Sequence, residues 1–129
     1  MSALYVDTSA LAKIITSERE SQALRVVLRG RRLVSSGIAS TELLRVGLRL
    51  GPSHVEAARR VLDGVHLLAS TPARLRRAGL LMPSHLRSLD ALHVVSALDL
   101  ADEVETFVAY DRRLLEAAEH HGLSTASPA

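Results

Sequence analysis

The sequence predicts an α/β fold: a parallel sheet of four to five strands with helices on both faces. Three observations carry that expectation. Brief apolar runs recur along the chain, each too short to be a helix. Between them lie segments whose apolar residues fall three and four positions apart, the spacing of amphipathic helices. Brief, mostly apolar runs separated by helices indicate a parallel sheet covered on both faces.

Taken in order, residues 4–6 form the first strand and residues 8–15 a short helix. Ser17, Glu18, Arg19 and Glu20 have the capping-box spacing and open a helix that Gly30 stops. Residues 33–39 form the second strand, and Ser40-Thr41-Glu42 opens a helix that ends at Gly51-Pro52. Ser53 to Glu56 is a second capping box, and its helix runs to Gly64. Residues 65–69 are the third strand; Thr71 then caps, and Pro72 starts, a helix containing Leu75 and Ala78. A long helix covers residues 86–100, a fourth strand residues 107–110, and a helix residues 111–121, closed by Gly122. Residues 123–126 form a short final strand.

With 129 residues, 47% of them hydrophobic, the whole chain (1–129) is expected to fold as a single domain around one core. Cysteine is absent, so thiolate metal sites and disulfides are excluded. No apolar run approaches the ~18 residues of a membrane span, and the N-terminus lacks a basic, then apolar, leader pattern. The expectation is a cytoplasmic protein with no membrane association. The net charge of +2 comes from a set of 16 basic residues in which only Lys13 is not arginine, a bias that suits phosphate. With only three aromatic residues, Tyr5, Phe107 and Tyr110, a base-stacking platform is poorly supported.

In an open parallel sheet, ligands bind beyond the carboxyl ends of the strands, near the point where strand order reverses. Asp7 follows the first strand, Glu42 lies at the start of the helix after the second, and Asp111 follows the fourth. Asp90 instead sits in the first turns of the long helix, among Leu86, Leu89, Leu92 and Val95, where a charge needs a partner. Singly, each acid has an ordinary structural reading. Asp7 and Asp111 suit helix caps, Glu42 suits the positive end of a helix dipole, and Asp90 could pair with an arginine. Together they would repel by about 4 kcal/mol per pair at ~4 Å and an effective dielectric of 20, so a cation is expected among them. Oxygen donors without cysteine suit Mg²⁺, with Mn²⁺ the alternative. His93, three residues past Asp90, reads as a packed or supporting histidine rather than a ligand.

The chain resembles the PIN-domain ribonucleases, particularly the VapC toxins of bacterial toxin–antitoxin modules. The markers are Tyr5-Val6-Asp7-Thr8-Ser9-Ala10-Leu11, Ser40-Thr41-Glu42, Leu89-Asp90-Ala91-Leu92-His93 and Val108-Ala109-Tyr110-Asp111, spread over essentially the whole chain. The resemblance implies a PIN-like sheet and a metal-dependent endoribonuclease with Asp7, Glu42, Asp90 and Asp111 at its acidic positions. It implies Asp7 and Asp90 as metal ligands, and Ser9 as the small polar residue supporting the first aspartate. It also implies a VapB-type antitoxin partner and self-pairing into a homodimer. One position departs from the pattern: the hydroxyl residue usual two places before the last aspartate is here Ala109.

In that reading a metal-activated water attacks the RNA phosphodiester, Glu42 or Asp111 handles its proton, and Arg87 and Arg112 hold the substrate's phosphates. The alternative is a catalytically inert PIN-like scaffold that binds RNA or a partner. An aspartyl phosphatase would need a second aspartate where Ser9 stands, and a phospho-receiver would need a late lysine, which the chain lacks.

Overall fold

The computed structural model describes residues 2–129. Its five strands, β1 (Ala3–Val6), β2 (Arg32–Ser36), β3 (Val65–Leu68), β4 (Val104–Val108) and β5 (Thr125–Ala126), form one sheet. The strand order is β3-β2-β1-β4-β5 and every pair is parallel. The central register sets Tyr5 opposite Val34 on one side and Phe107 on the other. The helices are α1 (Thr8–Ile15), α2 (Ser21–Leu28), α3 (Ile38–Leu50), α4 (Pro52–Asp63), α5 (Pro72–Gly79), α6 (Ser88–Asp99) and α7 (Arg112–His120).

All four residues of β1 are buried, because alternate side chains enter two different apolar layers. Leu4 and Val6 pack with Ala10, Leu11 and Ile15 of α1, Leu24 and Leu28 of α2, and Leu43 of α3. Ala3 and Tyr5 face the other way, into Val94 and Ala97 of α6 and Leu114, Ala117 and Ala118 of α7. Helices on both faces agree with the expectation from the brief apolar runs. Among the described residues no helix is long and apolar enough to cross a membrane.

Several boundaries differ from the sequence expectation: β4 runs Val104–Val108 rather than 107–110, β5 is only Thr125–Ala126, and three others shift for a visible local reason. The Ser17–Glu20 capping box does not form. Instead the buried Ser21 hydroxyl accepts the Glu18 N–H (3.0 Å) and donates to the Lys13 carbonyl (2.7 Å), so α2 begins at Ser21. The second strand stops at Ser36 rather than residue 39. The Gly37 N–H turns to the Leu68 carbonyl (2.7 Å), and the Ser36 hydroxyl accepts the Ile38 N–H (3.3 Å), starting α3 early. At Ser53–Glu56 the helix has already begun, since α4 starts with Pro52 at its first position after Gly51, whose φ of +125° suits glycine.

Helices α3 and α4 form a tight antiparallel hairpin whose contact depends on Gly47. A Cβ there would lie 3.0 Å from the His54 carbonyl oxygen and 3.1 Å from the Val55 Cα, backbone atoms that cannot rotate away. Gly79, in contrast, has open space at the corresponding position. Gly47→Val is expected to destabilise the fold by about 2 kcal/mol, an overpacking cost. Gly79→Ala, in the last turn of α5, is expected to raise stability by up to ~1 kcal/mol through helix propensity alone. Thermal melts of the two variants check this pair: both moving in the same direction would contradict it.

Candidate active site

The strand order reverses at β1, from which the chain runs through β2 and β3 on one side and returns through β4 and β5 on the other. The crevice beyond the carboxyl ends of β1 and β4 is therefore where this topology presents a ligand site. Asp7 stands at one edge. Its N–H still pairs with the Val108 carbonyl (3.2 Å), while its Oδ1 accepts the Ala10 N–H (3.0 Å) and caps α1. Asp111 stands at the other edge and caps α7, its Oδ1 accepting the amides of Arg113 (2.9 Å) and Leu114 (3.2 Å). Both aspartates are thus helix caps, as their simplest reading allows. The cap uses only Oδ1 of Asp111, and among the described residues no protein donor reaches its Oδ2.

Ser9 joins the two edges. Its hydroxyl donates to the Asp7 carboxylate, at 2.7 Å from Oδ1 and 2.9 Å from Oδ2, and accepts the Tyr110 N–H at 3.1 Å. One hydroxyl therefore fixes the first aspartate and ties it to the residue preceding the last one.

Asp90 is the third residue of α6, where the positive end of the helix dipole favours a carboxylate. It is half-buried, and no side-chain hydrogen bond reaches it among the described residues. It shares a cleft of about 440 Å³ with Asp111, and Arg87, Arg112, Arg113 and His85 complete most of the lining. The two arginines singled out in the sequence, Arg87 and Arg112, are thus brought beside two of the acids. Arg113 joins them. His85 gave no signal in the sequence beyond its nearness to Arg87.

Glu42 and Asp7 do not line that cleft. Asp7 is only 4% exposed, beneath the rim. Glu42 falls in the second turn of α3 rather than at its start, because the helix begins at Ile38. Its Oε1 accepts the Thr8 hydroxyl at 2.6 Å and meets His93 Nε2 at 3.0 Å. His93 is buried on α6, and its Nδ1 lies 2.8 Å from the Tyr5 hydroxyl. The histidine is therefore a packed, supporting residue, as its position on an apolar helix suggests. Tyr5 and Thr8 were not read as functional residues from the sequence. The available signal was that a tyrosine in a fully buried strand needs a partner for its hydroxyl.

Burial is the main reason why the Asp7 carboxyl is pushed above the usual carboxylate range; the neighbouring His93 and the hydrogen bonds from Ser9 and Ala10 only partly oppose it. Asp90 is also pushed up, first by burial and then by the negative charge of Asp111, with Asp7 adding to the effect against His93 and Arg87. Burial acts on Glu42 too, but the His93 and Thr8 hydrogen bonds outweigh it and hold that carboxyl low. The centre thus crowds negative charge that the protein alone leaves uncompensated. Hard oxygen donors in mutual repulsion fit a divalent cation chemically. Among the described residues no three His, Asp or Glu side chains form a ready-made cage.

Raised carboxyl values mean that the folded chain binds more protons than the unfolded one, so this contribution to stability is full below the unfolded carboxylate range and is lost as pH rises through the raised values. Asp7→Asn keeps the cap and abolishes the charge. In the absence of divalent ions the variant should melt close to the parent at about pH 4 and above it at about pH 7. A parent that is the more stable of the two at the higher pH would show the carboxylate to be favourably placed.

Residues 4–120 match the family model described as the PIN domain. Two ribonucleases of Mycobacterium tuberculosis are each 40% identical to the chain. Ribonuclease VapC47 aligns over 131 residues, covering 97% of this chain and 96% of its own length. Ribonuclease VapC46 aligns over 129 residues, covering 99% of each. The crystal structure of M. tuberculosis VapC20, described as a sarcin-ricin loop cleaving toxin, superposes with a TM-score of 0.76 over 98% of this chain and 100% of its own. At 17% identity that last likeness speaks for the fold alone. A family-model match over residues 4–120 and near-complete coverage at 40% identity make this chain a member of the PIN-domain family, among its VapC toxins.

Proposed function

We propose that the chain is a metal-dependent endoribonuclease, the toxin of a type II toxin–antitoxin pair, which hydrolyses RNA phosphodiester bonds in the cytoplasm. The observation that carries this reading is Asp90: a half-buried carboxylate with no protein donor among the described residues, sharing with Asp111 a cleft rimmed by Arg87, Arg112 and Arg113. A structural aspartate would have found a partner there. The relatives named as ribonucleases support the chemistry.

Asp7 and Asp90 are the residues that would hold Mg²⁺ or Mn²⁺. When bound, the ion supplies Lewis-acid polarisation of a phosphoryl oxygen and a water acidic enough to attack near neutral pH. The chain's own groups do the rest. Ser9 holds Asp7 in one orientation, and Arg87 and Arg112 fix the phosphate backbone on either side of the scissile bond. Glu42, through Oε2, or Asp111, through Oδ2, orients the attacking water and takes its proton as the bond from phosphorus to the leaving 3′ oxygen breaks. The fourth family motif lacks its hydroxyl, because Ala109 is fully buried in the apolar layer with Phe107 and Leu114. That feature favours the one competing reading, an inert scaffold that binds RNA without cutting it. As a VapC protein, the chain is expected to pair with a small VapB-type antitoxin and with a second copy of itself.

Asp7→Asn and Asp90→Asn should each lower RNA cleavage in a magnesium titration by about 10²-fold or more. Variants that cut as fast as the parent would refute the mechanism, and a parent that binds RNA without cutting in either Mg²⁺ or Mn²⁺ would establish the scaffold. Arg87→Ala and Arg112→Ala should weaken RNA binding similarly across sequences and reduce the salt dependence by about one counterion each. Binding isotherms at several salt concentrations read that slope, and an unchanged slope would remove the arginines from the backbone contact.

A further inference from the structure

The endoribonuclease reading gives Glu42 a task but does not say what aims its carboxylate. Both hydrogen bonds to Glu42 converge on the same oxygen: the Thr8 hydroxyl at 2.6 Å and His93 Nε2 at 3.0 Å both meet Oε1. A carboxylate only accepts, so Nε2 must carry the proton. In the neutral imidazole that leaves Nδ1 as the acceptor, and the Tyr5 hydroxyl lies 2.8 Å from it. With Nδ1 accepting, the buried Tyr5 hydroxyl is the donor of this pair. Tyr5 is itself held rigidly, stacked on Phe107 with ring centroids 5.0 Å apart and planes within 4°, and meeting His93 edge-on at 5.8 Å.

The chain of donors runs one way, from Tyr5 in the central strand through His93 to Glu42. A buried histidine needed only for packing would not require its two nitrogens to be matched in this directional order. Moreover, His93 lies three residues after Asp90, on the same face of α6. One helix therefore sets two acids, Asp90 directly and Glu42 through the imidazole.

We propose that His93, anchored by Tyr5 and assisted by Thr8, is the positioning residue of Glu42: it occupies Oε1 and so presents Oε2 to the reacting water. It touches no substrate. The inference rests on the endoribonuclease reading for its consequence, but the tautomer it requires exists without catalysis.

Two measurements test it. In the metal-free protein, long-range ¹⁵N–¹H spectra should show His93 with its proton on Nε2 and Nδ1 accepting, and Tyr5→Phe should shift the Nδ1 resonance. A proton on Nδ1 would overturn the proposal whether or not the protein cuts RNA. In cleavage assays, His93→Leu and Thr8→Val should each lower kcat by about 10- to 100-fold, with KM for RNA changed less than about twofold. His93→Gln, which keeps a donor near the Nε2 position, should recover most of the loss. In a Glu42→Gln background, Thr8→Val and His93→Leu should cost little more, because the group they aim is already gone. Losses that simply add to that of Glu42→Gln would overturn the positioning role, as would a folded His93→Leu with parental kcat. Should His93→Leu fail to fold, Thr8→Val and its combination with Glu42→Gln decide the question. If Asp90→Asn abolishes cleavage while these variants do not affect it, the ribonuclease reading stands and this inference alone falls.

Discussion

The hydroxyl of Ser9 spans the gap between two strand ends, donating to Asp7 beyond β1 and accepting from the amide of Tyr110 beyond β4. Helix capping orients each acid relative to its own helix: Asp7 on α1, Asp111 on α7. The Ser9 bridge joins the β1–β4 register and the backbone pairing of Asp7 with Val108 in relating one cap to the other. A net hydrogen-bond contribution of about 1 kcal/mol is small, but here it sets geometry more than stability.

Upon that frame the protein accumulates charge it does not neutralise. Asp7 lies under the rim, Asp90 faces Asp111 across the cleft, and the arginines nearby stand at the edge without an ion pair to either acid. Elsewhere the chain pairs its charges in the ordinary way: Arg74 and Arg77 both hold Asp99, at 2.7 and 2.6 Å. The contrast within a single helix is informative. Asp99, at the end of α6, is held low by burial-opposed hydrogen bonds from two arginines, whereas Asp90, at its start, is pushed up. Unrelieved repulsion of this kind is a cost to folding, and it is intelligible where a cation and a polyanionic substrate complete the site.

Much of this could be read from the residues alone, and the reasons for the remainder are local. The order of elements followed from punctuation by glycine and proline and from strands too apolar to face water. Asp7 and Asp111 were found because they stand directly after strands, and Asp90 because a carboxylate on an apolar helix demands explanation. The start of α3 was misplaced because the Ser36 hydroxyl, not Ser40, accepts the first helical amide, a choice made by the approach of β3 through Leu68. The network of Tyr5, Thr8, His93 and Glu42 joins residues 34 to 88 positions apart. No periodicity encodes such a meeting; it arises when the sheet register and the crossing of α6 are both fixed. Ala109 shows the converse: its departure from the family pattern is visible in the sequence, and the structure adds that the position is fully buried beside Phe107.

The central claim is that these carboxylates form a cation site that the fold leaves incomplete by itself. Titration of the metal-free protein with Mn²⁺, followed by the loss of the free-ion paramagnetic resonance signal, measures that property without reference to any substrate. The account predicts that the parent chain removes Mn²⁺ from solution, that Mg²⁺ competes for the same site, and that Asp90→Asn leaves the ion free. Equal uptake by the parent and by Asp90→Asn, or no uptake by either, would contradict it.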